Sequence, residues 1–435
     1  MPGRWSADQV LALAPDPASA QAARGLASPT RWHDTGATDE LVWGRCAGSG
    51  ARPYETAVEL SGAASNCSCP SRKFPCKHAL ALLLLWSAGT VAAVSEPADY
   101  AAAWKQARDA RAGKTVKPRG ERDEQAAAKR AQQRAGRVSA GLDELEIWLR
   151  DQVRGGLSAA AGRYAHAEPV AARMVDAQAP GVAATLRRLS SVPASGDGWP
   201  ALLLGGYARL HLLARAHAQL DALPPEFAAT VRTHVGYPAR REDVLAEAAV
   251  LDDWQVLAVR DLPDGAVPAR RTWLRGNASG RYALVLVFDP QGSFAGNPDA
   301  ALVAGTTIRA ELHFYPGRPP LRAVMGTRHA DAEPGPAPEP RLALSAQLTE
   351  WAAVVELDPW IAEWPAVLRG VPVPAGERWR FADPDSGAVP LLTGGVDPWV
   401  LAAVAGGRPV VVAGEFSADG LRPLTVWHHD QAVPL

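Results

Sequence analysis

Residues 66–78 of this 435-residue chain read NCSCPSRKFPCKH, and they hold three of its four cysteines together with one histidine. The cysteines are Cys67, Cys69 and Cys76, and the histidine is His78. One residue separates the members of each pair, and residues 70–75 separate the two pairs. Four such side chains could form a metal site, a disulfide with spare residues, a cysteine nucleophile with its histidine base, or a chance cluster in an inert core.

Composition restricts these choices. The chain is 47% hydrophobic with a formal net charge of −1 and a pI near 6.8, values typical of an ordinary soluble protein without a global attraction to nucleic acid. The first residues, MPGRWSADQV, lack the apolar stretch of a signal peptide, and the apolar run at 79–94 is too short and too interrupted to span a bilayer. We therefore expect a cytoplasmic protein without membrane contact, and in that reducing compartment disulfides are disfavoured.

Thiolates and an imidazole in a Cys3His set suit one tetrahedral Zn²⁺ ion. A cysteine–histidine nucleophile pair would leave the other two cysteines unexplained. Four protein ligands leave no open position for water or substrate, so we expect a structural zinc rather than a catalytic one. A finger with little core of its own would then depend on zinc for its shape, because such binding contributes on the order of 10 kcal/mol.

The surroundings of the four residues support this interpretation. Pro70 and Pro75 stiffen the loop between the pairs, and the stretch after Cys76 reads KHALALLLLW, which predicts a buried helix. Ligands in the first turn of a helix lie at its positive dipole end, which favours thiolate.

Basic side chains surround the predicted ligands. A zinc ion with three thiolates carries a formal charge of −1, and Arg72, Lys73 and Lys77 lie beside it in the sequence and offset that charge. The same three side chains are candidates for contacts with a partner or with nucleic acid.

The C-x-C and C-x-H pairs ahead of a helix resemble the SWIM-type zinc finger. Residues 40–50 (ELVWGRCAGSG) and 54–60 (YETAVEL) predict two strands before the motif, so that about 40–88 match the strand, strand, helix order of that finger. More loosely, the chain is similar to bacterial SWIM zinc finger family proteins at 271–288 and 421–427. The resemblance implies binding of DNA or proteins. For some members it implies association with MoxR-type AAA+ ATPases or von Willebrand A-type proteins, as an adaptor.

The fourth cysteine, Cys46, falls on the first predicted strand, alternating with Gly44 and Val42. A fifth thiol near the zinc is possible on spacing alone, but a small buried core residue is the favoured interpretation.

The chain divides by composition. Short helices in residues 1–39, beginning after a cap at Ser6, are expected to pack on the finger and form a domain of 1–104. Residues 105–138 form a basic linker, with eleven lysines and arginines against four acids, a net charge of +7. This linker reads as solvated and partly helical, with a break at Pro118 and Gly120. A basic arm of this kind can neutralise phosphates without reading sequence.

One motif within the linker is rejected. The residues Gly113, Lys114 and Thr115 match the end of a phosphate-binding loop, but Arg108 occupies the position of its first glycine and no strand precedes it.

The remainder predicts an α+β protein. Residues 139–250 have helical spacing, with a first helix from a cap at Ser139 to Gly155, and 251–435 alternate with period two. We expect a β-rich C-terminal domain, an antiparallel sheet or barrel with inserted helices, with most of its eight tryptophans in the core. His211 and His217 are six residues apart and are interpreted as ordinary surface or core histidines. His428 and His429 are expected on opposite faces of a strand.

Catalytic signatures such as GxSxG, HExxH and GxGxxG do not occur in the sequence, so we expect a protein that is not an enzyme. The leading hypothesis is a zinc-stabilised interaction module or adaptor that binds proteins. The alternative is binding of nucleic acid, DNA above all, through the finger and the basic linker. A third hypothesis, an enzyme in 251–435, requires a cleft with convergent polar groups.

Overall fold

The computed structural model of the chain describes residues 5–47, 52–60, 64–71, 73–112, 121–160, 166–262, 267–289, 294, 297–376, 378–383 and 385–435. Side chains between 110 and 127 and that of residue 159 lie outside this description. Within the described ranges, no helix combines the length and the apolar character that crossing a membrane requires.

The N-terminal part is a four-stranded antiparallel sheet with helices packed on it. Its strands pair in the order of the chain. Its elements are α1 (Ala7–Ala12), α2 (Pro17–Leu26), β1 (Trp32–Ala37), β2 (Leu41–Cys46), β3 (Tyr54–Glu59), β4 (Ser65–Cys67) and α3 (Lys77–Ser87). The two strands predicted from the sequence are β2 and β3, and both are confirmed. Only helices were expected in residues 1–39, and this is wrong for β1.

The core of this part is larger than the sequence suggested. Helix α3 is buried on nearly every side, with Leu80, Leu82 and Leu83 fully inaccessible. One apolar cluster joins α3 to Trp5, to the sheet and to residues of the C-terminal region such as Val303. The expectation of a finger with little core is therefore wrong, because α1 and α2 cover the face of α3 that the sheet leaves open. Helix α1 begins as predicted, with Ser6 and Gln9 forming a capping box.

The middle of the chain is helical. Its helices are α4 (Asp99–Ala112), α5 (Glu121–Gly155), α6 (Glu168–Asp176), α7 (Pro180–Leu189), α8 (Trp199–His217), α9 (Pro225–Val235) and α10 (Arg241–Leu245). Helix α5 ends at Gly155 as predicted but runs unbroken through Ser139, so the predicted N-cap there is wrong. Residues 121–139 are rich in alanine, arginine and glutamine, which are good helix formers, so Ser139 lies inside a helix rather than at its start.

Helices α5 to α9 pack around one apolar core. Leu145 on α5, Met174 on α6 and Leu186 on α7 are fully buried at its centre. Gly181 on α7 allows a close approach to α9. A Cβ atom at Gly181 would collide with the backbone carbonyl of His234 on α9.

The start of the basic segment is held against the finger. Lys105 on α4 forms ion pairs with Glu40 (3.3 Å) and Glu59 (3.7 Å), and Arg108 pairs with Glu59 and lies over the ring of Trp104. The expectation of a wholly solvated linker is wrong for these residues, because their charges serve the buried carboxylate of Glu59. The exposed side chains of Lys129 and Arg130 on α5 do fit that expectation. Pro118 and Gly120 lie outside the described residues.

The C-terminal region begins with a closed sheet. Its strands are β5 (Ala249–Leu262), β6 (Ala269–Gly276), β7 (Tyr282–Phe288), β8 (Thr306–Phe314), β9 (Arg322–Arg328) and β10 (Glu333–Pro334). Strands β5, β6, β7, β9 and β8 form a ring, since β8 pairs with both β5 and β9. The pairing of β7 with β9 is parallel, and the others in the ring are antiparallel. We call this ring the first barrel.

A second barrel repeats this connectivity. Its elements are α11 (Leu344–Leu357), β11 (Trp364–Ala375), β12 (Arg378–Asp383), β13 (Gly387–Leu391), α12 (Pro398–Ala405), β14 (Val410–Ser417), β15 (Gly420–His428) and β16 (Gln431–Pro434). Strands β11, β12, β13, β15 and β14 close a ring in which β13 and β15 are parallel. Each barrel thus joins its third and fifth strands in parallel, and the second places α12 between its third and fourth strands.

The barrels pack against each other through an apolar patch and a buried group of charges. Trp273 and Leu284 of the first barrel meet Val367 and Trp427 of the second. The Glu415 side chain is fully buried between the barrels. It pairs there with Arg260 and Arg271, at 3.1 Å from Arg271, and accepts a hydrogen bond from Trp273 Nε1 at 3.0 Å.

The predicted α+β class is confirmed, with a β-rich C-terminal region and inserted helices. Strand β11 lies between two neighbours although it carries Pro365, Pro372 and Pro374, and proline in a sequence argues against a central strand. The tryptophans are mostly core as predicted, but Trp399 is 67% exposed.

Candidate metal centre

The four predicted ligands converge at one corner of the N-terminal sheet. Cys67 ends β4, Cys69 lies in the loop that follows, Cys76 is the N-cap of α3, and His78 lies in the first turn of that helix. One ligand atom from each lies within 4.8 Å of all the others. In the described part of the chain, this is the one group of three or more such side chains arranged to hold a metal ion.

Distances within the group fit tetrahedral zinc. The Nδ1 atom of His78 lies 3.7 Å from Cys67 Sγ and 4.0 Å from Cys76 Sγ. Tetrahedral coordination with ordinary Zn–S and Zn–N bond lengths places neighbouring ligand atoms about 3.5–3.8 Å apart. Cys76 and His78 are buried, whereas Cys67 and Cys69 are half-buried. The four residues are therefore positioned to bind one zinc ion through three sulfurs and Nδ1.

Local structure explains how the loop returns to the sheet. Strand β4 pairs with β3, which places Cys67 opposite Thr56. The backbone carbonyl of Cys76 accepts the first hydrogen bond of α3, from the N–H of Leu80 at 3.1 Å. Since α3 is fixed by its buried faces, it holds Cys76 and His78 still while the strand holds Cys67.

The thiols of the cluster share their protons unequally. Hydrogen bonds from the Cys76 thiol, and then from His78 and Thr56, lower the pKa of Cys67 to about 4. The hydrogen bond to Cys67 and burial raise the pKa of Cys76, and burial raises that of Cys69. Because zinc binds thiolates, an ion that binds at this cluster displaces the protons that its thiols hold.

Two residues that the sequence did not indicate also support the site. The ring of Tyr54 lies over His78 with centroids 4.9 Å apart, and Thr56 Oγ1 lies 3.2 Å from Cys67 Sγ. Both are on β3, and residues two apart on a strand point to the same face. The signal available in the sequence was this alternation in YETAVEL, on the strand that precedes the motif.

The neighbouring basic residues differ in what they contact. Arg72 lies outside the described residues. Lys73 Nζ lies 2.8 Å from Asp16 Oδ2, so its charge is used in joining the loop to the start of α2. Lys77 is exposed on the first turn of α3 and forms no ion pair within the described ranges. A role of the three in binding a partner or nucleic acid stays a prediction.

Cys46 is confirmed as a core residue. It is fully buried in the cluster around α3, and its burial raises the pKa of its thiol. Its sulfur is not one of the four that converge.

The other histidines have ordinary contacts or contradict their prediction. His217 is buried and lies 2.9 Å from the Tyr237 hydroxyl, and His211 lies 3.3 Å from Glu146. The expectation that His428 and His429 face opposite sides is wrong. Strand β15 ends at His428, the next residue has a φ of +53°, and the two rings contact at 4.4 Å.

The C-terminal region does contain a cleft of the kind that the enzyme hypothesis requires. It has a volume of about 270 Å³ and lies between the barrels, lined by Tyr282, Gln347, Glu350 and Arg341 among others. The volume of this cleft lies just below the range of about 300–1,000 Å³ that is usual for ligand pockets. The residues of the rejected phosphate loop, 113–115, lie outside the described residues.

Two family comparisons match the chain in separate places. The SWIM zinc finger matches residues 54–86, and the SWIM-associated four-helix bundle domain matches residues 133–235. The first range contains β3, β4, α3 and the four ligands, and the second contains most of α5 and all of α6 to α9. No curated protein and no solved structure matches the chain. The chain therefore carries a SWIM-type zinc finger, as its motif predicted, followed by the helical bundle associated with it.

Proposed function

We propose that this chain is a non-catalytic scaffold that binds other proteins and in which structural zinc holds the ligand loop of the finger in shape. The observation that carries the proposal is the closed ligand set, because Cys67, Cys69, Cys76 and His78 fill a tetrahedral shell. A zinc ion held in this way has no position for water or substrate, so its contribution is to shape.

A surface for a protein partner lies on the helical bundle. Six of the fourteen large apolar side chains exposed in the described part of the chain belong to it: Ile147, Val153, Val175, Leu202, Leu204 and Leu212. Leu204, Ala208 and Leu212 are four residues apart on α8 and form one exposed stripe, with Gly205 beside them. Monomeric proteins rarely expose such continuous apolar surface without using it. We call this the α8 stripe.

Charge indicates what the α8 stripe would bind. The exposed Arg209 and Arg215 lie on the same helix and form no ion pair within the described ranges. An amphipathic helix with acidic residues beside its apolar ones fits this surface, since its apolar residues can lie along the stripe and its acids near the two arginines. Family resemblance makes a MoxR-type AAA+ ATPase or a von Willebrand A-type protein the first partners to test, in the cytoplasm.

Affinity capture from the native host, with nuclease present, tests the proposal. We expect a protein partner that survives nuclease and is lost from the Leu204→Glu/Leu212→Glu variant. The matched control is Leu251→Glu/Leu348→Glu, which changes two equally exposed leucines elsewhere and should retain the partner. The captured protein is then purified and titrated against the wild-type chain. Loss of all partners on nuclease treatment, or equal loss in both variants, would contradict the proposal.

A further inference from the structure

The second barrel has a cavity on its outer surface, at the edge of its contact with the first barrel. The volume of this cavity is about 270 Å³. Strand pairing places Arg369 on β11 opposite Val411 on β14, and Val411 opposite Trp427 on β15. Residues directly opposite each other in a sheet share a face, and chain neighbours of these three, such as Leu368 and Val426, point into the core of the barrel. Arg369, Val411 and Trp427 therefore form one row across the outer face, and all three line the cavity.

Four side chains that can donate hydrogen bonds to an anion surround this row. They are Arg369, Arg408 after the C-terminal end of α12, and His428 and His429 at the turn after β15. The positive φ of His429 turns the chain so that its ring contacts that of His428, with centroids 4.4 Å apart. Both imidazoles thus line the same cavity, and each has an N–H to donate whichever tautomer it holds. We call this cavity with its four side chains the basic cavity.

The positive charge of the basic cavity has no carboxylate partner beside it. In the described part of the chain, no acidic side chain lines the cavity, and neither Arg369 nor Arg408 forms an ion pair. Hydrogen bonds from Asp385 and Ser386 lower the pKa of Asp383, and the charge of Arg369 adds the smallest contribution. The carboxylate of Asp383 is thus held by the turn that follows it, and the arginine remains available.

Two nearby features account for part of this arrangement but not for all of it. A cation after the C-terminal end of α12 is favourable by itself, which explains Arg408 without a ligand. Asp430 follows the histidines, but its Oδ1 accepts a hydrogen bond from the backbone N–H of Ala337 at 3.3 Å, and it does not line the cavity. Neither feature explains why Arg369 and the two imidazoles meet at the same place.

The floor of the basic cavity is apolar and includes one donor without a partner. Val404, Val410 and Val411 line it together with Trp427, which is 2% exposed. The indole Nε1 of Trp427 is buried and has no hydrogen-bond partner within the described ranges. A buried donor without a partner is costly, and an acceptor atom of a bound molecule would satisfy it.

We propose that the basic cavity binds a small organic anion, with its carboxylate or phosphate on the arginines and histidines and its apolar part on the valines and Trp427. Arginine binds either head group through two parallel N–H bonds. A cavity of about 150 Å³ is enough to hold benzene, so the basic cavity can hold one ring or a short chain together with a head group. The site lies on the first, fourth and fifth strands of its barrel, apart from the finger and the α8 stripe, and does not depend on the proposed function.

Isothermal titration calorimetry on the full chain tests the site, in a buffer low in chloride, with phenyl phosphate, benzoate and neutral benzyl alcohol as probes. We expect one molecule of phenyl phosphate or of benzoate to bind per chain, whereas benzyl alcohol should not bind detectably. The anion that binds more tightly identifies the head group. Changing Arg369→Gln with Arg408→Gln should weaken binding at least tenfold, because hydrogen bonds from charged donors are the strongest that the cavity offers. Trp427→Phe removes the indole N–H but keeps an aromatic ring, and it should weaken binding about twofold to tenfold.

Arg154→Gln with Arg378→Gln is the matched control, because it removes two exposed arginines that do not line the cavity. It should keep wild-type affinity, and thermal unfolding checks that both double variants fold. The proposal is overturned if neither anion binds in the millimolar range, if benzyl alcohol binds as tightly as the anions, or if the control loses as much affinity as the cavity variant. If acetate and inorganic phosphate bind as tightly as benzoate and phenyl phosphate, the apolar floor has no role and the proposal is wrong as well.

Discussion

The zinc finger and the helical bundle hold their shapes by different means. In the finger, four side chains meet at one point, and the geometry of a short loop depends on all four. In the bundle, twenty buried residues form one apolar core between the helices, so the stabilisation is distributed over many side chains. This difference predicts how each of the two regions responds to substitutions. A single polar substitution should disable the finger's loop, whereas the bundle should lose stability in steps that follow the volume removed.

The largest effect is expected from Cys76→Ser, which removes a thiolate from the cluster. The zinc content should fall from about one per chain to near zero, because structural sites contribute on the order of 10 kcal/mol through their full ligand set. Hydrogen exchange should become fast in β4 and in the first turn of α3. The rest of α3 should stay protected by its apolar contacts with α1 and α2.

Cys46→Ala is the matched control for that experiment, since it removes the one cysteine outside the cluster. It should retain zinc and, after cobalt substitution, the sulfur-to-metal charge-transfer bands. Stoichiometric zinc in Cys76→Ser would refute the assignment of the site.

In the bundle, Leu186→Ala should lower the free energy of unfolding by about 2–5 kcal/mol, because it leaves a cavity at a fully buried position. Zinc content should not change. Leu212→Ala, at an exposed position of α8, should stay within about 0.5 kcal/mol of the wild type. Chemical denaturation measures both, and equal losses would mean that the bundle core is not where the structure places it.

A smaller effect follows from the close approach of α7 and α9. Gly181→Ala should destabilise the bundle by about 1–3 kcal/mol, because its methyl group meets a backbone carbonyl that cannot move aside easily. Gly205→Ala should instead stabilise it by up to about 1 kcal/mol, since its methyl group points into open space on a helix. A lower midpoint of thermal unfolding for Gly181→Ala and a higher one for Gly205→Ala would support this packing, and shifts in the same direction would contradict it.

The smallest predicted effect is a change in how the stability of the bundle depends on pH. Burial lowers the pKa of His217 in the folded bundle below that of the unfolded chain. The unfolded chain therefore takes up its proton first as the pH falls below about 6.5, and the bundle loses stability until the pH passes the folded value. His217→Gln should flatten this part of the stability profile. Hydrogen exchange in α8 from pH 7.5 to 5 separates this loss from zinc release in the finger.

The sequence predicted what depends on neighbours in the chain and missed what depends on distant pairings. Cys67, Cys69, Cys76 and His78 were identifiable because thirteen residues contain all four. From the sequence, an open sheet and a barrel remained alternatives, since the parallel pairing that closes the second barrel joins residues as distant as Leu391 and Leu421. The N-cap expected at Ser139 was wrong, because a residue that favours the cap position does not begin a helix where the residues on both sides of it are also helical.

Surface roles were equally hidden from the sequence. The segment chosen for its charge, 105–138, begins with side chains that neutralise Glu59. Arg369 and Arg408 form no ion pair within the described ranges, yet they do not belong to a conspicuous basic run in the sequence. Net charge along the chain therefore does not show which cations remain available, because ion pairing in three dimensions decides this.

The buried carboxylate of Glu415 couples the two barrels, because it lies in one of them and pairs with arginines of the other. Removing one member of a buried ion pair lowers the free energy of unfolding by about 3–5 kcal/mol, because the remaining charge is buried without a partner. Replacement of Glu415 alone would leave Arg260 and Arg271, which belong to the other barrel, to share the single carboxylate of Glu363. Among relatives we expect these three positions to change as a set. A relative that has only one of the barrels should carry an uncharged residue at whichever of these positions it retains.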